Sequence, residues 1–333
     1  MSARNILVTG GAGYIGSHTA KALAHAGYQP VVIDNLTAGH RSAVKWGPFI
    51  EGDIGCESLL HRVFDEHKIE GVIHFAANAY VGESMRNPRK YFHNNVSKSL
   101  NLLNAMMDCG VNQLVFSSTC AVYGVPQQLP LEEDHPQVPI NPYGETKLFV
   151  EKACHWYSHA HELRSVCLRY FNAAGADEAG ELGESHDPET HLIPLVIEAA
   201  YGARPGITVF GTDYPTSDGT AVRDYIHVSD LAQAHVQALR FLERGGESAA
   251  VNLGTGTGYS VRDVIDCVQR VSGCRIGVQE APRRPGDPAV LVASSRRADQ
   301  LLNWRPVHSS LEEMITTACH WHAPRLPAPV GTR

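Results

Sequence analysis

Short β-branched runs alternate with helix-length amphipathic stretches through the first half of the chain. The runs 6–8, 31–33, 49–50, 72–75, 114–116 and 166–168 are apolar and bounded by turn residues, so they read as buried strands. Between them, 15–26, 57–68, 95–108 and 144–160 carry apolar residues near helical spacing. Strands alternating with helices in this way predict βαβ units and an α/β fold built on a doubly wound parallel sheet. After residue 172 the rhythm breaks. Segment 173–190 is rich in Gly, Ala, Asp and Glu, and 202–220 carries Gly, Pro, Asp and Thr, which are loop signals. Segments near 226–242 and 250–254 look like pieces returning to the sheet. The expected division is therefore a dinucleotide-type domain at 1–172 and a smaller mixed α/β domain at 173–333. The end, 323–333, has little to bury and is expected to fray.

A glycine run joins the first strand to the first helix: Thr9-Gly10-Gly11-Ala12-Gly13-Tyr14-Ile15-Gly16. Glycine there permits a tight turn and close approach of the backbone to a pyrophosphate, whose charge the helix N-terminus favours. A glycine loop alone is weak evidence, because ordinary turns use the same residues. Its position between strand and helix strengthens it, as does Asp34 at the end of the second strand. A carboxylate there accepts hydrogen bonds from a ribose hydroxyl and repels a 2′-phosphate, so NAD is expected over NADP on a Rossmann sheet. The bland alternative for Asp34 is a turn residue beside Asn35.

Tyr143 and Lys147 lie four apart at the start of the amphipathic stretch 144–160, just after Pro142. That spacing puts both side chains on one helix face. A nearby ammonium stabilises phenolate and lowers the tyrosine pKa, which a general base at neutral pH requires. Alone, such a pair is most often a surface feature. Here Phe116-Ser117-Ser118-Thr119 also ends an earlier strand, and C-terminal strand ends of a parallel sheet face the ligand crevice. Thr119 is thereby placed to share a proton with a substrate oxygen.

Composition narrows the field. The 333 residues are 43% hydrophobic and 19% charged, with a formal net charge of −7, so no global basic field is available for nucleic acid or an anionic membrane. An anionic small molecule remains possible through local cations. No apolar run approaches the roughly 18 residues of a spanning helix, and the N-terminus lacks the long apolar region of a signal peptide. Eight scattered cysteines, with no Cys-x-x-Cys pair, read as free thiols in the cytosol. Among the histidines, His155, His159 and His161 cluster on one expected helix without a carboxylate to complete a site. They read as surface residues, and no metal is expected.

Taken together, the glycine loop, Asp34, Asp53-Ile54, His74-Phe75-Ala76-Ala77, Ser117-Ser118-Thr119, Tyr123-Gly124 and Pro142-Tyr143-Gly144-x-x-Lys147 resemble the extended short-chain dehydrogenase/reductase superfamily. Within it the chain is most similar to the UDP-glucose 4-epimerase family, over almost its whole length. The most specific runs are Gly13-Tyr14-Ile15-Gly16-Ser17-His18, Arg169-Tyr170-Phe171-Asn172, Asp218-Gly219-Thr220-x-x-Arg223-Asp224-Tyr225-Ile226-His227-Val228 and Arg283-Arg284-Pro285-Gly286-Asp287.

The resemblance implies roles at matching positions. Gly10, Gly13, Tyr14, Ile15 and Gly16 would line the pyrophosphate of NAD, and Asp34 with Asn35 the adenosine ribose. Asp53 and Ile54 would flank adenine, while Phe75, Ala76, Ala77, Asn95 and Tyr170 would line the remaining cofactor channel. Tyr143 would act as general base and acid, Lys147 would hold the nicotinamide ribose and tune Tyr143, and Thr119 would assist. Asn172, Arg223, Arg284 and Asp287 would grip the UDP part of a UDP-hexose, with His191, Leu192, Val209, Phe210, Tyr225 and Leu291 completing the substrate pocket. Two arginines for a diphosphate and a carboxylate for ribose hydroxyls make chemical sense. The implied reaction interconverts UDP-glucose and UDP-galactose by transient oxidation at C4, rotation of the 4-keto sugar and hydride return. The family also implies a homodimer through helices 95–108 and 144–160.

Rivals share the fold. Sugar-nucleotide 4,6-dehydratases carry an Asp-Glu pair where this chain has Cys120-Ala121, so dehydration is disfavoured. UDP-glucuronate epimerases and decarboxylases need a cation for the sugar carboxylate, and none is evident. Leu291 is intermediate in bulk at a position that bears on N-acetylated sugars, which leaves UDP-N-acetylglucosamine open as a second substrate. A sensor that binds the dinucleotide without turnover would be expected to lack the Tyr/Lys pair.

Overall fold

The computed structural model describes residues 3–284 and 286–326. Pro285 and residues 327–333 of the expected tail lie outside the described residues. The strands in chain order are β1 (Asn5–Thr9), β2 (Gln29–Asp34), β3 (Phe49–Glu51), β4 (Gly71–His74), β5 (Gln113–Thr119), β6 (Arg164–Tyr170), β7 (Asn172–Ala174), β8 (Ile207–Phe210), β9 (Val222–His227), β10 (Ala249–Leu253), β11 (Gly258–Ser260), β12 (Val278–Ala281) and β13 (Val290–Leu291). Seven of them form one sheet in the order β10-β6-β5-β4-β1-β2-β3, and every pairing in it is parallel.

Parallel strands covered on both faces can be apolar throughout. The residues of β4 and β5 are all buried, which is why they read as continuous apolar runs. One face packs against helices Tyr14–His25 and Val228–Glu243, with Ile6, Val8 and Val32 meeting Leu231, Leu239 and Leu242. The other packs against helices Glu57–Glu66, Lys98–Asp108 and Pro142–His161 through Leu7, Ile33 and Leu114. The order reverses between β1 and β4, and that switch point opens a crevice beyond the C-terminal strand ends.

The second half departs from simple alternation. β10 joins the sheet beside β6 as expected. The stretch 226–242 returns as a helix packed on the sheet, whereas β9 before it leads a separate small sheet with β7, β11 and β13. Within 202–220, read as loop, β8 pairs in parallel with β12. Helices Leu192–Ala200, Val261–Ser272 and Leu311–His322 bury their apolar faces in a second core with Ile207, Val209 and Tyr225. The start of the tail is more ordered than expected: Ala323–Arg325 forms a 3-10 turn and Leu326 packs against this second core.

Candidate active site

The glycine loop has the close geometry its composition suggests. Gly10 has φ +72°, and a Cβ there would lie 2.6 Å from the Ala76 nitrogen. A Cβ on Gly16 would lie 2.3 Å from the Gly10 carbonyl oxygen. Gly13 caps the helix beginning at Tyr14 without any side-chain hydrogen bond, which leaves the first amides free of an internal side-chain partner. That cradle fits a pyrophosphate. Asp34 is fixed beside it: Oδ2 accepts from the Ala12 amide at 3.1 Å and Oδ1 from the Leu36 amide at 2.8 Å. Burial raises its pKa, and the two amides oppose the shift.

The other expected cofactor residues occupy varied settings. Asn35 donates to Asp53 Oδ2 at 2.9 Å, and Lys98 Nζ lies 2.6 Å from the same oxygen. Ile54 is buried in the core. Phe75 stacks at 4.6 Å from the His235 ring, and Ala76 and Ala77 continue the strand-end turn after β4. The Tyr14 hydroxyl donates to the Gly175 carbonyl at 2.6 Å and ties the glycine loop to the segment after β7, while Ile15 packs on the sheet core. Asn95 is spent on the protein itself. It holds the Asn78 backbone from both sides, at 2.8 and 2.9 Å, and donates to Thr146 Oγ1 at 3.1 Å. It lies in a π-helical turn, Phe92–Ser97, that nothing in the periodicity announces.

Tyr143 and Lys147 open helix Pro142–His161, whose start is capped by the Asn141 side chain on the Gly144 amide at 2.8 Å. Lys147 is buried, donates to the Ser117 carbonyl at 2.7 Å and stands 6.0 Å from the centre of the Tyr143 ring. Burial brings its ammonium down to about 7, opposed by the charge of Glu151. The protein alone does not acidify the Tyr143 phenol. Its pKa is pushed up to about 12 by burial, with a hydrogen bond to the Thr119 side chain pulling the other way. Desolvation of phenolate outweighs a lysine this far off. Thr119 Oγ1 also accepts from the Ala121 amide at 3.2 Å. Tyr170 meets Ser117 through hydroxyls 2.5 Å apart.

Beneath this group lies a buried charge network that sequence reasoning passed over. Glu151 receives Arg169 Nε at 3.0 Å and Nη2 at 2.5 Å, and a hydrogen bond from Ser118. Arg169 also donates to the Tyr123 hydroxyl at 2.9 Å, which donates to Asn252 at 2.6 Å. The signals were an arginine directly after the apolar run 166–168 and an acid one helical turn beyond Lys147.

The residues expected to grip UDP lie on the small sheet and in the loop before β13. Asp287 pairs with Arg223 and, at 2.8 Å, with Arg284. Arg284 also covers the Phe210 ring, 5.4 Å from its centre. Asn172 donates to the Asp224 carbonyl at 3.0 Å, in register beside Tyr225. Leu291 pairs with Arg223 across β13 and β9 and, like Cys120 and Phe171, packs against the small core of Val122, Tyr123, Leu131 and Leu148. Val209 and Tyr225 are buried in the second core, with Leu192 packed against it. His191 is drawn instead to Glu184 and Glu189, at 2.8 and 2.9 Å. Asp224, to which sequence reasoning gave no role, ties the loop after β10 to the segment after β13 by accepting from the Thr255 and Ala293 amides at 2.9 and 3.2 Å.

Residues 6–254 match the model of the NAD dependent epimerase/dehydratase family. The chain is 53% identical to the UDP-glucose 4-epimerase of Rhizobium leguminosarum bv. trifolii, over 97% of its own length and 98% of the relative's. Its structure is similar to that of the UDP-glucose 4-epimerase from Brucella ovis in complex with NAD, with TM-score 0.94 and 52% identity over 96% of this chain and 98% of that one. It is also similar to the Bifidobacterium longum UDP-glucose 4-epimerase in complex with NAD+ and UDP, with TM-score 0.90 and 38% identity over 96% and 98% of the two chains.

Proposed function

Since the chain belongs to the NAD dependent epimerase/dehydratase family, we propose that its cleft interconverts UDP-glucose and UDP-galactose with NAD as resident cofactor. The observation that carries this reading is the convergence of Tyr143, Lys147 and Thr119 at the strand ends, beside a glycine cradle and facing a paired-arginine cluster. Gly10, Gly13 and Gly16 with the free helix amides hold the pyrophosphate, and Asp34 holds the adenosine ribose. When bound there, NAD would supply a reversible hydride acceptor for C4 of the sugar.

Tyr143 takes the 4-hydroxyl proton and gives it back, and Thr119 steadies the oxygen through its shared hydrogen bond. Lys147 adds positive charge beside the phenol from a position fixed by the Ser117 carbonyl. Arg223 and Arg284 take the diphosphate and Asp287 the uridine ribose. Anchoring the nucleotide rather than the hexose leaves the sugar free to rotate.

Three further assignments belong to the same reading. The chain divides near residue 172, with helix Val228–Glu243 and β10 lent back to the nucleotide half. Two copies pair through helices Lys98–Asp108 and Pro142–His161, where Phe149 and Trp156 stand exposed at 49% and 68%. All eight cysteines are free, and no described helix is long and apolar enough to cross a membrane, which suits a cytoplasmic enzyme. The direct test is to supply the purified protein with UDP-galactose and no added NAD. UDP-glucose is expected to accumulate to an equilibrium mixture, and absence of turnover with or without added NAD refutes the assignment.

A further inference from the structure

Away from the Tyr143 centre, the loop between β7 and helix Leu192–Ala200 gathers Glu184, His186, Glu189 and His191, each offering one ligand atom within 4.8 Å of the others. Among the described residues no other group of three or more histidines, cysteines and carboxylates draws so close. His191 Nδ1 stands 2.8 Å from Glu184 Oε1 and 2.9 Å from Glu189 Oε1. His186 Nδ1 lies 3.2 Å from Glu184 Oε1 and 3.5 Å from Glu189 Oε2, yet makes no hydrogen bond although it is buried. A buried ring nitrogen without a partner costs roughly 1–3 kcal/mol. His186 Nδ1 thus faces two carboxylate oxygens without a well-aligned hydrogen bond, a geometry that a shared cation would satisfy.

We propose that these four residues form a structural divalent-cation site of the zinc type. Two imidazole nitrogens and two carboxylates make a four-donor N/O set suited to tetrahedral zinc. Ligand atoms ~2.0–2.1 Å from zinc stand ~3.3–3.5 Å apart at the corners of a tetrahedron. The two rings stand 3.2 and 2.8 Å from the shared Glu184 Oε1, near that edge length or about half an ångström under it, and the Glu189 carboxylate faces the same rings, with Oε2 toward His186 and Oε1 toward His191. Charge also balances, because two carboxylates neutralise a divalent ion bound by neutral imidazoles. The side chains of Glu184 and Glu189 are 6% and 8% exposed, a setting in which two adjacent carboxylates need positive charge from the two rings or from a bound cation, while His191, 46% exposed, leaves a path for entry.

The metal would staple the loop where three parts of the chain meet. The Glu184 carbonyl accepts from the Trp321 indole at 2.8 Å, the Ser185 carbonyl lies 3.0 Å from His40 Nε2, and the His186 ring sits edge-on to Tyr14 and Tyr80, at 6.5 and 6.0 Å. With all four positions filled by protein, the site is closed and serves structure, not chemistry. The expectation of no metal came from the helical histidines His155 and His159, which are exposed and stack on each other without carboxylates.

The test uses the full chain, stripped with EDTA, passed into chelator-free buffer and titrated with zinc sulfate against a chromophoric chelator. One zinc per chain is expected, with a melting temperature several degrees above that of the stripped protein. His186→Ala and His191→Ala should each weaken zinc at least ~10–100-fold, whereas His155→Ala binds like the parent. Where either variant fails to fold, cobalt(II) in the parent chain decides. Intense visible bands of a four-coordinate ion support the site, and the pale spectrum of the hydrated ion overturns it. Sub-stoichiometric zinc, an unchanged melting temperature, or equal binding by the parent and both site variants leaves the cluster as a network of imidazolium–carboxylate ion pairs and overturns the proposal.

Discussion

The two walls of the cleft are held by different physics. On the sheet side, Lys147 is 3% exposed, hydrogen-bonded to the main chain of β5 and backed by the buried Glu151–Arg169 pair. On the opposite wall, Arg223 at the start of β9 meets Asp287, and Asp287 meets Arg284, both from the loop before β13, as ion pairs, with Arg284 64% exposed. The first wall sets the positions of reacting groups through backbone register, which tolerates little movement. The second is a charge cluster whose own carboxylate already pairs with both guanidinium groups, so on the proposed function a diphosphate would have to share or displace Asp287. One wall suits chemistry that needs fixed distances, and the other suits binding and release of a nucleotide.

The largest effect is expected on the fixed wall. Tyr143→Phe should lower turnover of UDP-galactose by at least ~10²–10⁴-fold, while calorimetric affinity for UDP stays within a few-fold. A variant of near-parent activity removes the phenol from the reaction. Next comes the network that backs the wall. Glu151→Gln leaves Arg169 unpaired in the interior and should cost about 3–5 kcal/mol of stability in urea unfolding, without a comparable loss of UDP affinity in the folded fraction. A loss under ~1 kcal/mol, the range of an exposed pair, would erase the contrast between the walls.

On the adaptable wall, Arg223→Ala should weaken UDP by ~10–100-fold, as expected when a charge-assisted hydrogen bond worth about 1.5–3 kcal/mol is removed. Arg284→Ala should cost only a few-fold, because its solvated guanidinium gains little. The reverse ranking in a calorimetric titration would show that the diphosphate sits nearer the rim than Arg223.

The same contrast governed what could be read from the chain. The sheet wall was legible because fully buried strands leave apolar runs and because the Tyr143–Lys147 spacing is a helical repeat. β8 and β12 were not, since they are short, largely exposed on one side or throughout, and flanked by Gly and Pro. Arg223, Arg284 and Asp287 were reached through resemblance, because a strand–loop ion cluster has no period. The burial of Tyr143 was not legible for a different reason. Spacing shows which charge is near but not how much water is lost, and burial is the largest influence on this phenol.

That last point defines the decisive measurement. Tyrosinate absorbance, taken as parent minus Tyr143→Phe across a pH series, isolates this one phenol. In the protein stripped of cofactor it should ionise near pH 12, in keeping with its buried setting. With NAD bound, the positive ring should draw the midpoint down by several units toward neutrality. The account predicts that displacement; a midpoint still near 12 in the loaded protein contradicts it.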